Sequence, residues 1–180
     1  NWTTNAAGNG DVSIGVTNNP NVPVTPFGNY VLELESDIPP AADADVSIDL
    51  SGIIKPQLSF YMAHDDDEKE NDEGIYVSTD GGNTFTMVYD IPVNNSNENQ
   101  WRYFELDLGA LMQANGLSIP ANGQIVLRIK QESSISSEQH VYDNIKIVET
   151  GLGQPGTIPA QFTGFSVPDT IFVNYPATFV

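Results

Sequence analysis

Seven of the nine residues 65–73 are carboxylates. So many like charges on one short stretch repel each other, and a hard cation relieves the repulsion. Calcium suits the task because it accepts about six to eight oxygens in a flexible geometry. The stretch is not an EF-hand. Aligned on Asp65, Lys69 falls where the third ligand belongs and Glu70 where the obligatory glycine belongs. A solvated charge run is the competing reading. The candidate donors of this loop are Asp66, Asp67, Asp72 and Glu73. Asp143, in Tyr142-Asp143-Asn144-Ile145, enters a strand whose Ile145 and Ile147 should face the core; it either caps a turn or ligates a cation there. Glu35 is a further candidate ligand, and a structural calcium is the expected cofactor.

A second constellation is structural. Ser78-Thr79-Asp80-Gly81-Gly82-Asn83-Thr84-Phe85 fits the Asp-box pattern Ser-x-Asp-x-Gly-x-Thr-aromatic. Its aspartate accepts backbone N–H groups across the turn, and the flanking hydroxyls join the network. Propellers repeat such a box. Here it occurs once, which reads as a brace for one hairpin and not as a glycosidase signal.

Nucleophilic catalysis finds little to work with. The chain has two histidines, His64 and His140, and no cysteine. Ser59 is near His64, but strand alternation aims the two at opposite faces, and no nucleophile elbow is present. Carboxylates are plentiful enough for a glycosidase pair, but abundance does not place them. A non-catalytic chain is expected. Exposed aromatics could instead stack on sugar rings while Asn, Asp and Gln supply hydrogen bonds. Trp2, Tyr61, Tyr89, Trp101 and Tyr103 are the candidates. The same rings could equally be core or sheet-packing residues, which large rings in strands usually are.

The segments that must position these residues are short. Residues 12–16, 30–35 and 45–50 alternate apolar and polar side chains, as half-buried strands do. Residues 58–63 are apolar enough for a central strand, and the acidic stretch after them reads as a hairpin tip. Residues 75–79 and 84–89 flank a glycine turn, again a hairpin. Residues 101–108, 123–130 and 140–148 complete the strands. Residues 1–11 read as an irregular entry, and 17–28 and 132–139 as loops. The one good helix former, 110–114, is stopped by Asn115-Gly116.

About nine to ten short strands, one short helix and turn signals roughly every ten residues predict an all-β chain. The expected architecture is an antiparallel β-sandwich of jelly-roll type. Residues 1–150 are expected to form this module. Residues 151–180 read as a linker and extra strands, or as the start of a following domain.

Twenty-four acids against six bases leave a net charge of −18. Such a surface repels nucleic acid and anionic membranes, which are bound through basic patches. It favours solubility and cations. A hydrophobic share of 39% suits a folded chain, and no run is long enough for a transmembrane helix. Without cysteine there is no disulfide framework, which fits an exported bacterial protein or a cytosolic one. The abrupt opening at Asn1-Trp2 reads as a piece of something longer, with adjoining domains of the same chain as neighbours.

The order of the motifs carries a resemblance. Val46-Ser47-Ile48-Asp49-Leu50-Ser51-Gly52, Leu58-Ser59-Phe60-Tyr61, the Asp box behind Tyr76-Val77, Trp101-Arg102-Tyr103-Phe104-Glu105-Leu106-Asp107-Leu108 and Tyr142-Asp143-Asn144-Ile145 follow one another in this chain. Over nearly all of residues 1–150 this resembles the MAM-like and reelin-repeat-like jelly-roll modules of large secreted bacterial proteins. The resemblance implies a concanavalin-like or galactose-binding-like sandwich, often with a structural calcium, in adhesion or accessory roles. By position, Asp143 matches the family's acid at the start of the final strand, and Asp72 or Glu73 the acid ahead of the hairpin strand. The loop 65–73 is more acidic than is usual there. The expected protein is an extracellular or cell-surface module serving adhesion or spacing, with a cell-surface glycan or protein as partner. The alternative is a carbohydrate-binding module attached to a polysaccharide-active enzyme.

Overall fold

The computed structural model describes residues 2–6, 11–17, 19–36, 41–65, 71–132 and 138–150. Among them, ten strands and one α-helix follow in order: β1 (Trp2–Ala6), β2 (Asp11–Gly15), β3 (Val31–Ser36), β4 (Ala42–Asp49), β5 (Pro56–Asp65), β6 (Gly74–Ser78), β7 (Thr86–Asp90), β8 (Arg102–Asp107), α1 (Leu108–Ala114), β9 (Gln124–Gln131) and β10 (Glu138–Glu149). They form two five-stranded sheets, ordered β1-β4-β9-β6-β7 and β2-β3-β10-β5-β8, with every strand pairing antiparallel. This is the expected antiparallel β-sandwich.

Alternation decides which face each sheet buries. Ala42, Ala44, Val46 and Ile48 of β4, with Ile125, Leu127 and Ile129 of β9, meet Leu32, Leu34, Leu58, Phe60, Met62 and Phe104 from the other sheet in one core. Phe60 and Phe104 stack at 5.0 Å with planes 15° apart. α1 closes one end through Leu108 and Met112. The Asp107 carboxylate accepts the Ala110 N–H at its start, and Asn115 and the positive φ of Gly116 stop it. On the outer face of the first sheet, Arg128 lies directly opposite Asp45 and grips it with two hydrogen bonds of 2.7 and 2.8 Å. Its guanidinium covers the Phe85 ring at 3.7 Å.

Three features depart from the expectations. Residues 2–6 are a strand, because β1 completes its hydrogen bonds on β4, a tertiary partner that local composition does not reveal. The acidic stretch is no hairpin tip: β5 and β6 lie in different sheets, so the stretch between them crosses from one sheet to the other. The hairpin is β6–β7 alone, closed by the Asp box. β10 carries a bulge, with Asn144 at φ 53° and a register shift between Asp143 and Lys146. That extra residue lets Tyr142 and Ile147 reach the core while Asp143 and Lys146 share the outer face. Residues 151–180, expected as linker and further strands, lie outside the described residues.

Candidate functional site

The outer face of the second sheet gathers most of the chemistry-bearing side chains. On β10, β5 and β8 the registers lay out three successive rows: Asp143, Tyr61 and Tyr103; Lys146, Ser59 and Glu105; Val148, Gln57 and Asp107. Tyr61 and Tyr103, directly opposite across two strands, have ring centroids 5.0 Å apart at 44°. The loop between β2 and β3 continues the row: Phe27 stands 5.0 Å from Tyr61 at 54°. Tyr103 is 52% exposed and Phe27 46% exposed. Large rings held open to water on a sheet face are unusual unless they serve a contact.

Polar groups sit in fixed positions in the rows beside the rings. The Tyr103 hydroxyl donates to Glu105 Oε2 at 3.0 Å, and Gln57 Nε2 donates to the other oxygen of the same carboxylate. Carboxylate, carboxamide and hydroxyl groups within two rows of the aromatic pair can donate to or accept from ligand hydroxyls.

The loop 17–30 is strapped down over one end of this face. Val22 of the loop packs with Val31, Ala63 and Val141 in a small cluster outside the main core, against Trp101. Trp101 Nε1 donates to the carbonyls of Pro23 and Val24, both at 3.1 Å. Asn19 and Asn21 donate to the buried Asp65 at 2.8 and 3.1 Å. Asp143, 6% exposed, accepts the backbone N–H of Phe27 at 2.9 Å. Burial pushes its carboxyl above the usual value, against the opposing pull of the Phe27 and Asn144 N–H groups and of Lys146. Asp143 therefore fixes the segment that carries the Phe27 ring.

The structure separates the candidate metal ligands. Asp143 belongs to this outer face. Glu35 lies on β3 opposite Gln139. Asp72 is exposed near Lys130, 3.8 Å away, on the rim of the other sheet. Glu73 is fully buried, accepts the Glu132 N–H at 3.3 Å and approaches His140 Nε2 at 4.0 Å. Asp66 and Asp67 lie outside the described residues. Among the described residues no group of three or more His, Asp or Glu side chains could hold a metal ion.

The candidate aromatics divide as well. Tyr103, exposed, and Tyr61, half-buried, form the outer-face pair, and Trp101 anchors the strap. Tyr89 turns inward, packed edge-on against Phe104 at 6.3 Å. Trp2 belongs to β1 of the opposite sheet, and its side chain lies outside the described ones. His64 and His140 are fully buried in the interior, with ring centroids 6.3 Å apart, whereas Ser59 is on the outer face. Phe27, Gln57 and Glu105 were not singled out from sequence. Alternation of Tyr103, Glu105 and Asp107 against Phe104, Leu106 and Leu108 is the signal that marks Glu105; a ring in a proline-rich loop gives none.

The Asp box folds as its pattern indicates. Asp80 accepts from the Ser78 and Thr84 hydroxyls, both at 2.7 Å, and from the N–H groups of Asn83 and Thr84. The Thr84 and Ser78 hydroxyls, with those N–H groups, hold its carboxyl down at about 2. Gly81 and Gly82, at φ 79° and 93°, make the turn.

No protein-family model matches the chain, and no curated protein is similar to it in sequence. Solved structures are similar in fold. TmCBM61, solved in complex with β-1,4-galactotriose, superposes with a TM-score of 0.52 at 14% identity, over 83% of this chain and 88% of that one. The family 30 carbohydrate-binding module of the cellulosomal cellulase Cel9D-Cel44B of Clostridium thermocellum gives 0.52 at 14%, over 82% and 91%. The fold is one that carbohydrate-binding modules share. A third such structure, from work on the promiscuous specificity of carbohydrate-binding modules of the β-sandwich superfamily, gives 0.53 at 12% identity; this chain spans 57% of its length and 82% of its own. At these identities the likeness is one of fold, and it bears out the jelly-roll kind of module expected from sequence.

Proposed function

We propose that this chain is a non-catalytic carbohydrate-binding module of a larger secreted or surface protein, and that it grips a glycan on the outer face of β10, β5 and β8. The observation that carries the reading is the outer-face pair of exposed Tyr103 and half-buried Tyr61, prolonged by Phe27 and bordered by Gln57, Ser59 and Glu105. A pyranose presents an apolar C–H face and a rim of hydroxyls. Stacked rings take the first and flanking polar groups the second. The fold's likeness to modules such as the galactotriose complex supports this over adhesion or spacing alone, and it supports an extracellular setting. Adhesion through the bound glycan is compatible with it, as is the proposed kinship with MAM-like and reelin-repeat-like modules.

Calorimetric titration against soluble β-linked galacto-, gluco- and xylo-oligosaccharides tests the reading. Covering the open half of the Tyr103 ring removes roughly 80 Å² from water, about 2 kcal/mol, and the half-buried Tyr61 ring offers less. Tyr103→Ala should then cost roughly 30-fold in affinity, and Tyr61→Ala less than that. Binding to no oligosaccharide, or equal binding by a folded Tyr61→Ala/Tyr103→Ala double variant, would sink it.

A structural calcium is the subordinate proposal. With Asp143 on the outer face, Asp72 on the rim and Glu73 buried, such an ion would draw on the stretch containing Asp66 and Asp67. Chelation at neutral pH should lower the melting temperature if the ion is part of the native state; no change would remove calcium from the account.

A further inference from the structure

We infer that the aromatic face selects uncharged glycan chains and turns away polyuronates and sulfated polysaccharides; this rests on the glycan reading above. Each row of the face carries a carboxylate: Asp143 beside Tyr61, Glu105 beside Ser59, Asp107 at the row of Gln57. Lys146 is the one cation in those rows. None of the three carboxylates stands idle awaiting a cationic ligand. Glu105 takes the Tyr103 hydroxyl on one oxygen and Gln57 on the other. Asp107 caps α1 through the Ala110 N–H at 2.8 Å, and Asp143 holds the Phe27 N–H. They are locked in place by the fold's own donors, so they cannot swing away from an incoming anion.

Acceptor oxygens fixed in this way suit a ligand whose rim is made of hydroxyl donors. A ligand carboxylate or sulfate laid on the same rings would meet fixed negative charge, within a chain of net charge −18. Juxtaposed like charges suppress a wrong partner, and the penalty is screened by salt. Specificity on this face thus comes from a repulsive element beside the stacking one.

The experiment compares one neutral β-linked oligosaccharide that binds with the same oligosaccharide oxidised at C6 to the uronate, by calorimetry in low and high salt. The neutral chain should bind at least about tenfold more tightly at about 20 mM salt, and the ratio should shrink severalfold at about 0.5 M. Glu105→Gln should narrow the low-salt ratio, with circular dichroism confirming the fold. Equal or tighter binding of the uronate would overturn the inference while leaving the glycan reading standing, and so would a ratio indifferent to both salt and Glu105→Gln. Binding of neither chain, across the oligosaccharide panel, removes the glycan reading and this inference together.

Discussion

Replacing Asp143 tests whether a single carboxylate holds the loop 17–30 on the sheet. Its acceptor bond to the Phe27 N–H is 2.9 Å long, and the side chain is 6% exposed. A hydrogen bond to a charged group contributes about 1.5–3 kcal/mol. Two effects reduce the net value. Phe27 is half exposed, so water can recover its N–H once the loop lifts. Burial also disfavours the carboxylate, as its raised pKa records. Asp143→Ala should therefore lose about 1–2 kcal/mol, a melting-temperature fall of about 2–8 °C for a chain of this size.

Asp143→Asn keeps the volume and one acceptor oxygen but cannot ionise, so it should lose less than the alanine variant. The pH dependence separates the two effects. Because burial raises the folded-state pKa above 3.8, this group's favourable contribution is complete below pH 3.8 and is lost as pH rises through the folded value. Measured against wild type, Asp143→Asn should therefore look worst in acid and improve as pH climbs above 3.8. Thermal melts followed by circular dichroism give the stabilities. Tryptophan emission reports the loop directly, since Trp101 is hydrogen-bonded to Pro23 and Val24; it should shift to the red in the alanine variant. Equal losses for the alanine and asparagine variants at neutral pH would refute the reasoning, as would an alanine variant with unchanged melting and emission.

Other changes probe the frame. Asp80→Ala removes the acceptor that ties the β6–β7 turn, and the cost should be visible at neutral pH. Because the folded pKa of about 2 lies below 3.8, that stability is present above pH 3.8 and drains away towards pH 2, where melts of variant and wild type should converge. Gly74→Ala would put a Cβ 2.3 Å from the Tyr89 carbonyl oxygen, which belongs to the paired strand and cannot yield; a loss of about 3 kcal/mol in urea unfolding is expected. Arg128→Lys keeps the charge but gives up the forked grip on Asp45 and the planar cover on Phe85; a loss of about 1 kcal/mol is expected by the same assay, and no loss would show the stack to be idle.

Much of the frame was legible in one dimension. Periods of two in β3, β4, β8 and β9 reflect a pleat that must bury one face, so strand positions and their inward residues follow from the chain alone. The Asp box was readable because all its bonds close within seven residues, Ser78 to Thr84. The candidate site was readable only in part. Tyr61 and Tyr103 could be nominated, but whether they faced water or core could not, and Tyr89, an equal candidate by type, packs inward.

Charge, composition and alternation are local properties, and they specify an acidic, cysteine-free, all-β jelly roll with a braced hairpin. Tertiary structure alone decided what stands beside what. Strand pairing between residues some forty apart set Tyr61 against Tyr103. A bulge at Asn144 turned Asp143 to the outer face, where strict alternation with Ile145 and Ile147 would have sent it inward. Packing of a proline-rich loop brought Phe27 onto Tyr61. The crossover between sheets separated Asp72 and Glu73 from Asp143, because which sheet a strand joins depends on long-range pairing that no local pattern encodes.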